Sequence, residues 1–185
     1  YDAIGWIYHM KGEIQTASDY YLKALALVGD ENAQMSTLLV HIAAINQIQG
    51  NLSDAFHYYF KAIQLAQMRH ERKELEMAKA YNGLGTLYHE QKKLPRALDA
   101  FRNAANLLKK RYGPKHPELS TCYNNIATIL LELGQIKEAR ETLEKDLKLN
   151  LELFGEDHAN LLSCYCNLGE AHAKQGEFKQ GLAYF

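Results

Sequence analysis

The stretch YNGLGTLYHEQKKLPRALDAFRNAANLL, residues 81–108, decides the fold because its pattern of small and large residues recurs along the whole chain. Gly85 is followed twelve positions later by Ala97, and four positions further by Phe101. The equivalent small pairs are Gly5 and Ala17, Ala43 and Ala55, Ala127 and Ala139, and Gly169 and Gly181, with Tyr21, Tyr59, Leu143 and Phe185 as the large residues. The second small residues lie 38, 42, 42 and 42 positions apart. Such a period predicts helical units stacked side by side, each contacting its neighbours.

Each repeat is predicted to hold two antiparallel helices, the small residues letting their backbones approach closely. The first helices are predicted at 1–11, 33–49, 74–91, 116–133 and 158–175, and the second helices at 14–28, 52–69, 94–111, 136–153 and 178–185. The first helices are expected to end at Gly12, Gly50, Lys92, Gly134 and Gly176. A left-handed residue ends a helix most cheaply when it is Gly, so Lys92 is the exception.

Two sets of residues resemble the consensus of the tetratricopeptide repeat (TPR) family in identity and spacing. They are Tyr1, Ile4, Gly5, Tyr8, Ala17, Tyr21 and Ala24, and Tyr81, Leu84, Gly85, Tyr88, Ala97, Phe101 and Ala104. The resemblance covers the whole chain and implies an all-α fold. That fold is a TPR solenoid of antiparallel helix pairs stacked into a right-handed superhelix, with about five repeats and truncated ends. Asn46, Leu130 and Asp146 depart from the consensus, the last replacing an Ala.

The 42-residue period resembles that of kinesin light chains, because a minimal TPR unit has 34 residues. The connection Tyr112-Gly113-Pro114-Lys115-His116-Pro117 and its counterpart, residues 154–159, are similar to the Leu-Gly-x-x-His-Pro linker of that family. The segment Tyr123-Asn124-Asn125-Ile126-Ala127 is similar to its Leu-Asn-Asn-Leu-Ala segment. The first two repeats lack the linker and fit that family less well.

The chain is predicted to be one TPR array over residues 1–185, with repeats at about 1–32, 33–73, 74–115, 116–157 and 158–185. Both ends fall within predicted helices, and natural arrays end in capping helices with a polar outer face. We therefore expect a fragment of a longer protein.

Composition excludes several classes of function. The net charge of −1, from 21 basic and 22 acidic residues, argues against a nucleic-acid surface. No run of 18 apolar residues is present, so no membrane insertion is expected. The three cysteines are predicted to be free, buried thiols, since Cys122 and Cys164 are repeat equivalents too far apart to pair. Free thiols favour a reducing compartment, and a cytoplasmic location is expected.

No catalytic residue, metal site or cofactor is predicted. His116 and His158 are repeat equivalents in the connections, which marks them as linker residues rather than ligands. His89-Glu90 lacks the second His of a zinc protease helix, and no phosphate-binding glycine loop is present. The chain is expected not to be an enzyme.

By the TPR resemblance, the first helices line a concave groove. The residues expected to bind a peptide there are Trp6, Val40, Lys79, Asn82, Thr86, Asn124, Asn125, Thr128 and Asn167. An Asn amide donates and accepts hydrogen bonds, so a series of them can hold the main chain of an extended peptide. The alternative is that these amides bond neighbouring helices or water. Lys79 and Lys174 are the basic residues at the predicted groove positions, too few for a clamp on a terminal carboxylate.

The predicted function is a protein–protein interaction adaptor or scaffold that binds a peptide or partner helix in the groove. Two alternatives stay open: a regulatory sensor arm of a larger enzyme or transcription regulator, and a cargo adaptor of the kinesin-light-chain type. The array could also stack on copies of itself. The expected partners are a protein or peptide ligand, not nucleic acid, with a possible intramolecular contact to missing parts of the parent chain.

Overall fold

In the computed structural model, the described residues 1–28, 34–68, 73–156, 158 and 160–183 form ten helices and no strand. The helices are α1 (Asp2–Met10), α2 (Ile14–Leu27), α3 (Met35–Ile48), α4 (Leu52–Gln67), α5 (Lys73–Glu90), α6 (Leu94–Tyr112), α7 (Glu118–Glu132), α8 (Ile136–Phe154), α9 (Asn160–Lys174) and α10 (Phe178–Leu182). The prediction of an all-α fold of helix pairs is confirmed. Some predicted positions lie outside the described residues. They are the helix termini at 33, 69 and 184–185, the large residue Phe185, and linker residues 157 and 159.

The chain forms two compact units, Tyr1–Leu87 and Tyr88–Phe185, called unit 1 and unit 2. Within unit 1, α1 packs on α2 and α3 on α4, and α2 also packs on α3. Within unit 2, α7 packs on α8 and α9 on α10, while α6 packs on α7 and α8 on α9. In four repeats the second helix therefore contacts the first helix of its own repeat, and α2, α6 and α8 contact the first helix of the next repeat. That all five repeats form one continuous array stays a prediction.

The small residues lie where two helices touch. Ala17, Ala55, Ala97 and Ala139 are fully buried. A Cβ added at Gly5 would stand 2.8 Å from the ring of Tyr21, which leaves no room for any side chain on α1 there. In unit 1, Tyr21 also packs against Leu38, Ile42 and Ile45 of α3. Tyr21, the large residue of the first repeat, therefore fills the space between α1 and the next repeat.

The predicted helix starts at 116 and 158 are wrong by two residues, because each linker histidine caps its helix from outside. The Nδ1 atom of His116 accepts a hydrogen bond from the backbone N–H of Glu118 (3.3 Å), and His158 does the same for Asn160 (3.2 Å). Each imidazole also stacks on the aromatic residue that ends the preceding helix, with ring centroids 4.5 Å apart for Tyr112 and 4.3 Å for Phe154. The two histidines thus have the same structural role in both linkers.

The prediction of three buried thiols is wrong for Cys166. Cys122 and Cys164 are buried, whereas Cys166 is exposed, and all three are free. Residues two apart on a helix point about 200° apart, so a buried Cys164 turns Cys166 to the opposite side of α9.

Lys92 holds the left-handed position that glycine holds in the other repeats. Its φ is +57°, against +74° to +80° for Gly12, Gly50, Gly134 and Gly176. We expect Lys92→Gly to raise the free energy of unfolding by about 0.5–1 kcal/mol, because the left-handed strain of a residue with a Cβ exceeds the added chain entropy of Gly. The variant also loses the ion pair between Lys92 and Glu132 (3.6 Å). This pair contributes little to stability, because the Lys92 side chain is 76% exposed.

Urea unfolding measures this effect. Lys145→Gly is the matched control, since the same change at an exposed position in the middle of α8 should lower the free energy of unfolding by about 1 kcal/mol. A lower unfolding midpoint for Lys92→Gly than for the wild type would contradict the assigned backbone conformation.

Candidate functional site

In unit 1 the predicted groove positions lie on three first helices, α1, α3 and α5. Trp6, Lys79 and Thr86 are exposed, and Val40 and Asn82 are half-buried. The Thr86 hydroxyl donates a hydrogen bond to the carbonyl oxygen of Asn82 one turn earlier (3.1 Å). The hydroxyl hydrogen is therefore donated within the helix, while the hydroxyl oxygen can still accept a hydrogen bond from a ligand.

A hydrogen bond between Asp2 and His41 joins α1 to α3 in unit 1. The Asp2 Oδ1 and His41 Nδ1 atoms are 2.8 Å apart, and α1 and α3 are in contact. Burial and then the charge of His41 lower the pKa of the neighbouring His9. Beneath them, burial and then the charge of Asp2 raise the pKa of Tyr21 to about 12, which keeps its hydroxyl neutral. The hydrogen bond between Asp2 and His41 thus links the two first helices of unit 1.

In unit 2 the predicted amide and hydroxyl residues lie on α7 and α9, which contact each other. Asn124, Asn125, Thr128 and Asn167 are all half-buried. The Thr128 hydroxyl donates to the carbonyl oxygen of Asn124 (3.0 Å), repeating the Thr86 arrangement 42 residues later. Within the described ranges, the side-chain amides of Asn124, Asn125 and Asn167 make no hydrogen bond to another residue. The three amides thus lie on two helices that contact each other.

Charged side chains on the same helices of unit 2 are paired. His89 hydrogen-bonds Glu132, and Lys92 lies 3.6 Å from the same carboxylate. Desolvation pushes the pKa of Glu132 upward, but the hydrogen bond and charge of His89, aided by Lys92, outweigh it and hold the pKa below its usual range. Lys174 pairs with Glu170 at 3.3 Å. A lysine already paired with a carboxylate is poorly placed to clamp the terminal carboxylate of a peptide.

Sequence reasoning missed a buried polar network between α7, α8 and α9. Asp146, Asn150, Ser120 and Cys164 are all buried. The Asn150 amide donates to Asp146 Oδ1 and to Ser120 Oγ, both at 2.8 Å, and the Cys164 thiol donates to Asp146 Oδ2 at 3.2 Å. The available signal was Asp146 itself, a charged residue at a position where the TPR consensus has Ala.

Burial sets the titration of this network. Desolvation raises the pKa of Asp146 despite hydrogen bonds from Ser120, Cys164 and Asn150. Burial, followed by the charge of Asp146, raises the pKa of the Cys164 thiol to about 12. A thiol so weakly acidic is a poor nucleophile, which makes the network a structural feature.

Over the described ranges, no cluster of three or more His, Cys, Asp or Glu residues is placed to hold a metal ion. None of the helices in this part of the chain is both long and apolar enough to cross a bilayer.

The paired helices, and the polar faces of their first members, define a helical-repeat scaffold of the kind that binds other proteins. The tetratricopeptide repeat family model matches residues 34–110 and 76–150, which together span more than half of the chain. The chain belongs to the tetratricopeptide repeat family. Its resemblance to kinesin light chain repeats is also confirmed. No curated protein matches the sequence.

Several solved structures are similar in fold. BtubC (BKLC) from P. vanneervenii is 19% identical with a TM-score of 0.83, covering 97% of this chain and 73% of that one. A putative kinesin light chain of Podosopora anserina with TPR-like repeats is 16% identical with a TM-score of 0.78, covering 99% and 89%. PilF of Pseudomonas aeruginosa is 21% identical with a TM-score of 0.76, covering 100% and 71%. At these identities the likeness shows the fold alone.

Proposed function

We propose that this TPR chain is an adaptor that binds a peptide of a protein partner on the exposed face of its first helices. The observation that carries the proposal is the group of three half-buried amides on α7 and α9, Asn124, Asn125 and Asn167. Each can donate and accept a hydrogen bond, and none is used by another described residue. A polar group in this position gains a partner when an extended main chain lies across the two helices.

The surroundings of the amides favour an uncharged stretch of peptide. The nearby carboxylates and amines already pair with each other, as in His89 with Glu132 and Lys174 with Glu170. A strongly acidic ligand of the kinesin-cargo type would find little unpaired positive charge on α7 and α9, where Lys174 pairs with Glu170 and His172 with Glu177. In unit 1 the exposed Trp6 and the half-buried Val40 supply apolar surface for a hydrophobic side chain.

Two further parts of the proposal concern the location of the chain and its kind of activity. Buried thiols that form no disulfide, such as Cys122 and Cys164, are typical of a reducing compartment, which supports a cytoplasmic location. That the activity is binding rather than catalysis is proposed from membership of the tetratricopeptide repeat family.

The test is capture of a partner from a cytosolic extract, followed by affinity measurements with variants. We expect Asn124→Ala combined with Asn167→Ala to weaken binding by about 1–3 kcal/mol, because polar groups of the ligand lose their partners. That loss is roughly a 5- to 150-fold rise in the dissociation constant. Isothermal calorimetry on the purified pair measures it.

The matched control is Asn103→Ala combined with Asn106→Ala, the same change at two exposed positions of the second helix α6. It should leave the affinity unchanged, and both variants should keep the thermal stability of the wild type. Equal affinity for the wild type and the Asn124/Asn167 variant would move the binding site away from these helices.

A further inference from the structure

A pocket with an apolar floor opens in unit 2 between α7, α8 and the linker that precedes α7. Its volume is about 240 Å³. The floor contains Tyr123 of α7 and Leu149 of α8, which are 8% and 5% exposed. Sites for whole small molecules have volumes of about 300–1,000 Å³. This pocket therefore has room for a single apolar side chain rather than for a complete small-molecule ligand.

Lysine side chains surround the opening, and we call the site the lysine pocket. The side chains of Lys115, in the linker, and Lys148, on α8, are 70% and 79% exposed. Lys145 lies one turn before Lys148 and is also exposed. Lys109 of α6 places its ammonium group 5.1 Å from the centroid of the Tyr123 ring. Positive charge is thus concentrated around the apolar floor.

One carboxylate of the chain already lies among these lysines. Glu152 Oε2 is 3.0 Å from Lys115 Nζ, and Glu152 Oε1 is 4.0 Å from Lys148 Nζ. The hydrogen bond from Lys115 and its charge lower the pKa of Glu152. Among the described residues, Lys145 has no ion-pair partner. The lysines therefore outnumber the carboxylate, and the pocket keeps a net positive charge.

The lysines are not part of the repeat pattern. The residues equivalent to Lys145 and Lys148 in the preceding repeat are Asn103 and Asn106, 42 positions earlier on α6. Tyr123, by contrast, recurs as Tyr both 42 positions before and 42 positions after. Packing of the helices thus uses the aromatic residue at each junction, whereas it does not depend on a basic rim.

We propose that the lysine pocket is a second binding site, which takes an acidic peptide segment of a partner protein. One apolar side chain of the segment enters the pocket, and flanking Asp or Glu carboxylates pair with the lysines. Complementary charge selects such a segment, and the apolar floor distinguishes it from a small inorganic anion, which has no apolar part to bury. Asn124 and Asn125 do not line the pocket, so the proposal stands or fails independently of peptide binding by the amides.

The probe is a fluorescently labelled, acetylated pentapeptide in which one Leu lies between two pairs of Glu, added to the intact protein. We expect saturable binding by fluorescence anisotropy that weakens as NaCl is added, because salt screens exposed charges. Lys145→Gln combined with Lys148→Gln should raise the dissociation constant by about fivefold, since exposed ion pairs contribute modestly. Because both lysines are exposed, the variant should keep the circular dichroism of the wild type.

Matched controls separate the pocket from general attraction between opposite charges. Lys137→Gln combined with Lys179→Gln removes the same charge at two exposed lysines that do not line the pocket, and it should leave the affinity unchanged. A peptide with Gln in place of each Glu should lose binding, which tests the role of charge. A peptide with Ser in place of Leu should bind more weakly than the original, which tests the apolar floor.

Three results would overturn the proposal. The first is the absence of saturable binding of the Glu-containing peptide. The second is an equal loss of affinity in the two double variants, which would mean that the peptide follows net charge rather than this pocket. The third is lysine-dependent binding of phosphatidylserine vesicles by a protein that binds the Glu and Gln peptides equally, which would make a lipid surface the ligand.

Discussion

Gly83→Ala is expected to lower the free energy of unfolding by about 3 kcal/mol, the upper part of the range for overpacked cores. A Cβ at this position would stand 2.2 Å from the Cε1 and Cζ atoms of Tyr59 and 2.5 Å from its hydroxyl oxygen. Tyr59 is 3% exposed, and its hydroxyl donates a hydrogen bond to Gln47 Oε1 at 3.3 Å. Because Tyr59 is almost fully buried, admitting the methyl group requires the ring to shift within the core or α4 and α5 to move apart.

Urea unfolding followed by circular dichroism measures the loss, with Thr86→Ala at an exposed position of α5 as a control near zero. A second variant tests the cause. Adding Tyr59→Leu to Gly83→Ala should cost less than the sum of the two single changes, because the smaller Leu side chain leaves room for the added Cβ. Full stability of Gly83→Ala would contradict the contact.

Asp146→Ala is expected to destabilise the protein by about 1–3 kcal/mol at pH 4, and by less at pH 7. At the lower pH the variant loses a carboxyl that Ser120, Asn150 and Cys164 surround, and it leaves their polar groups without that partner. Burial raises the pKa of Asp146 in the folded state above its unfolded value. The wild type therefore loses stability as the pH rises through the folded pKa, because the buried carboxyl must then ionise.

Unfolding free energies of the wild type and the variant at pH 4 and pH 7 test both parts of this prediction. The difference between the two proteins should shrink with rising pH. Glu141→Ala, at an exposed position of α8, should change stability by a few tenths of a kcal/mol at most. A difference that grows from pH 4 to pH 7 would show that the folded protein favours the ionised carboxylate, contrary to the sign argued from burial.

The sequence predicts the helix pairs because their causes are local. The small residues Ala17, Ala55, Ala97 and Ala139 and the turn glycines recur at fixed spacings, and each has the burial or the backbone conformation that its position requires. The helix starts at Glu118 and Asn160 were missed by two residues, because the preceding histidines cap these helices with ring atoms rather than entering them.

Other features depend on contacts between helices distant in sequence. The consensus identifies Gly85, but the room that Gly83 makes for Tyr59 appears only when α4 and α5 are packed together. The network of Asp146 joins residues of three helices, so no spacing rule reveals it. The amides of Asn124 and Asn167 were predicted from the family resemblance, and their role in binding stays a prediction.

The most direct test of peptide binding on the first helices uses Cys166, which is exposed on α9 beside Asn167. The rate of its alkylation by iodoacetamide, followed by mass spectrometry, should fall by about tenfold or more when a captured partner saturates the protein, because reaction requires access to the thiol. The buried Cys122 and Cys164 serve as internal controls for unfolding. An alkylation rate of Cys166 that is the same with and without saturating partner would contradict binding across α7 and α9.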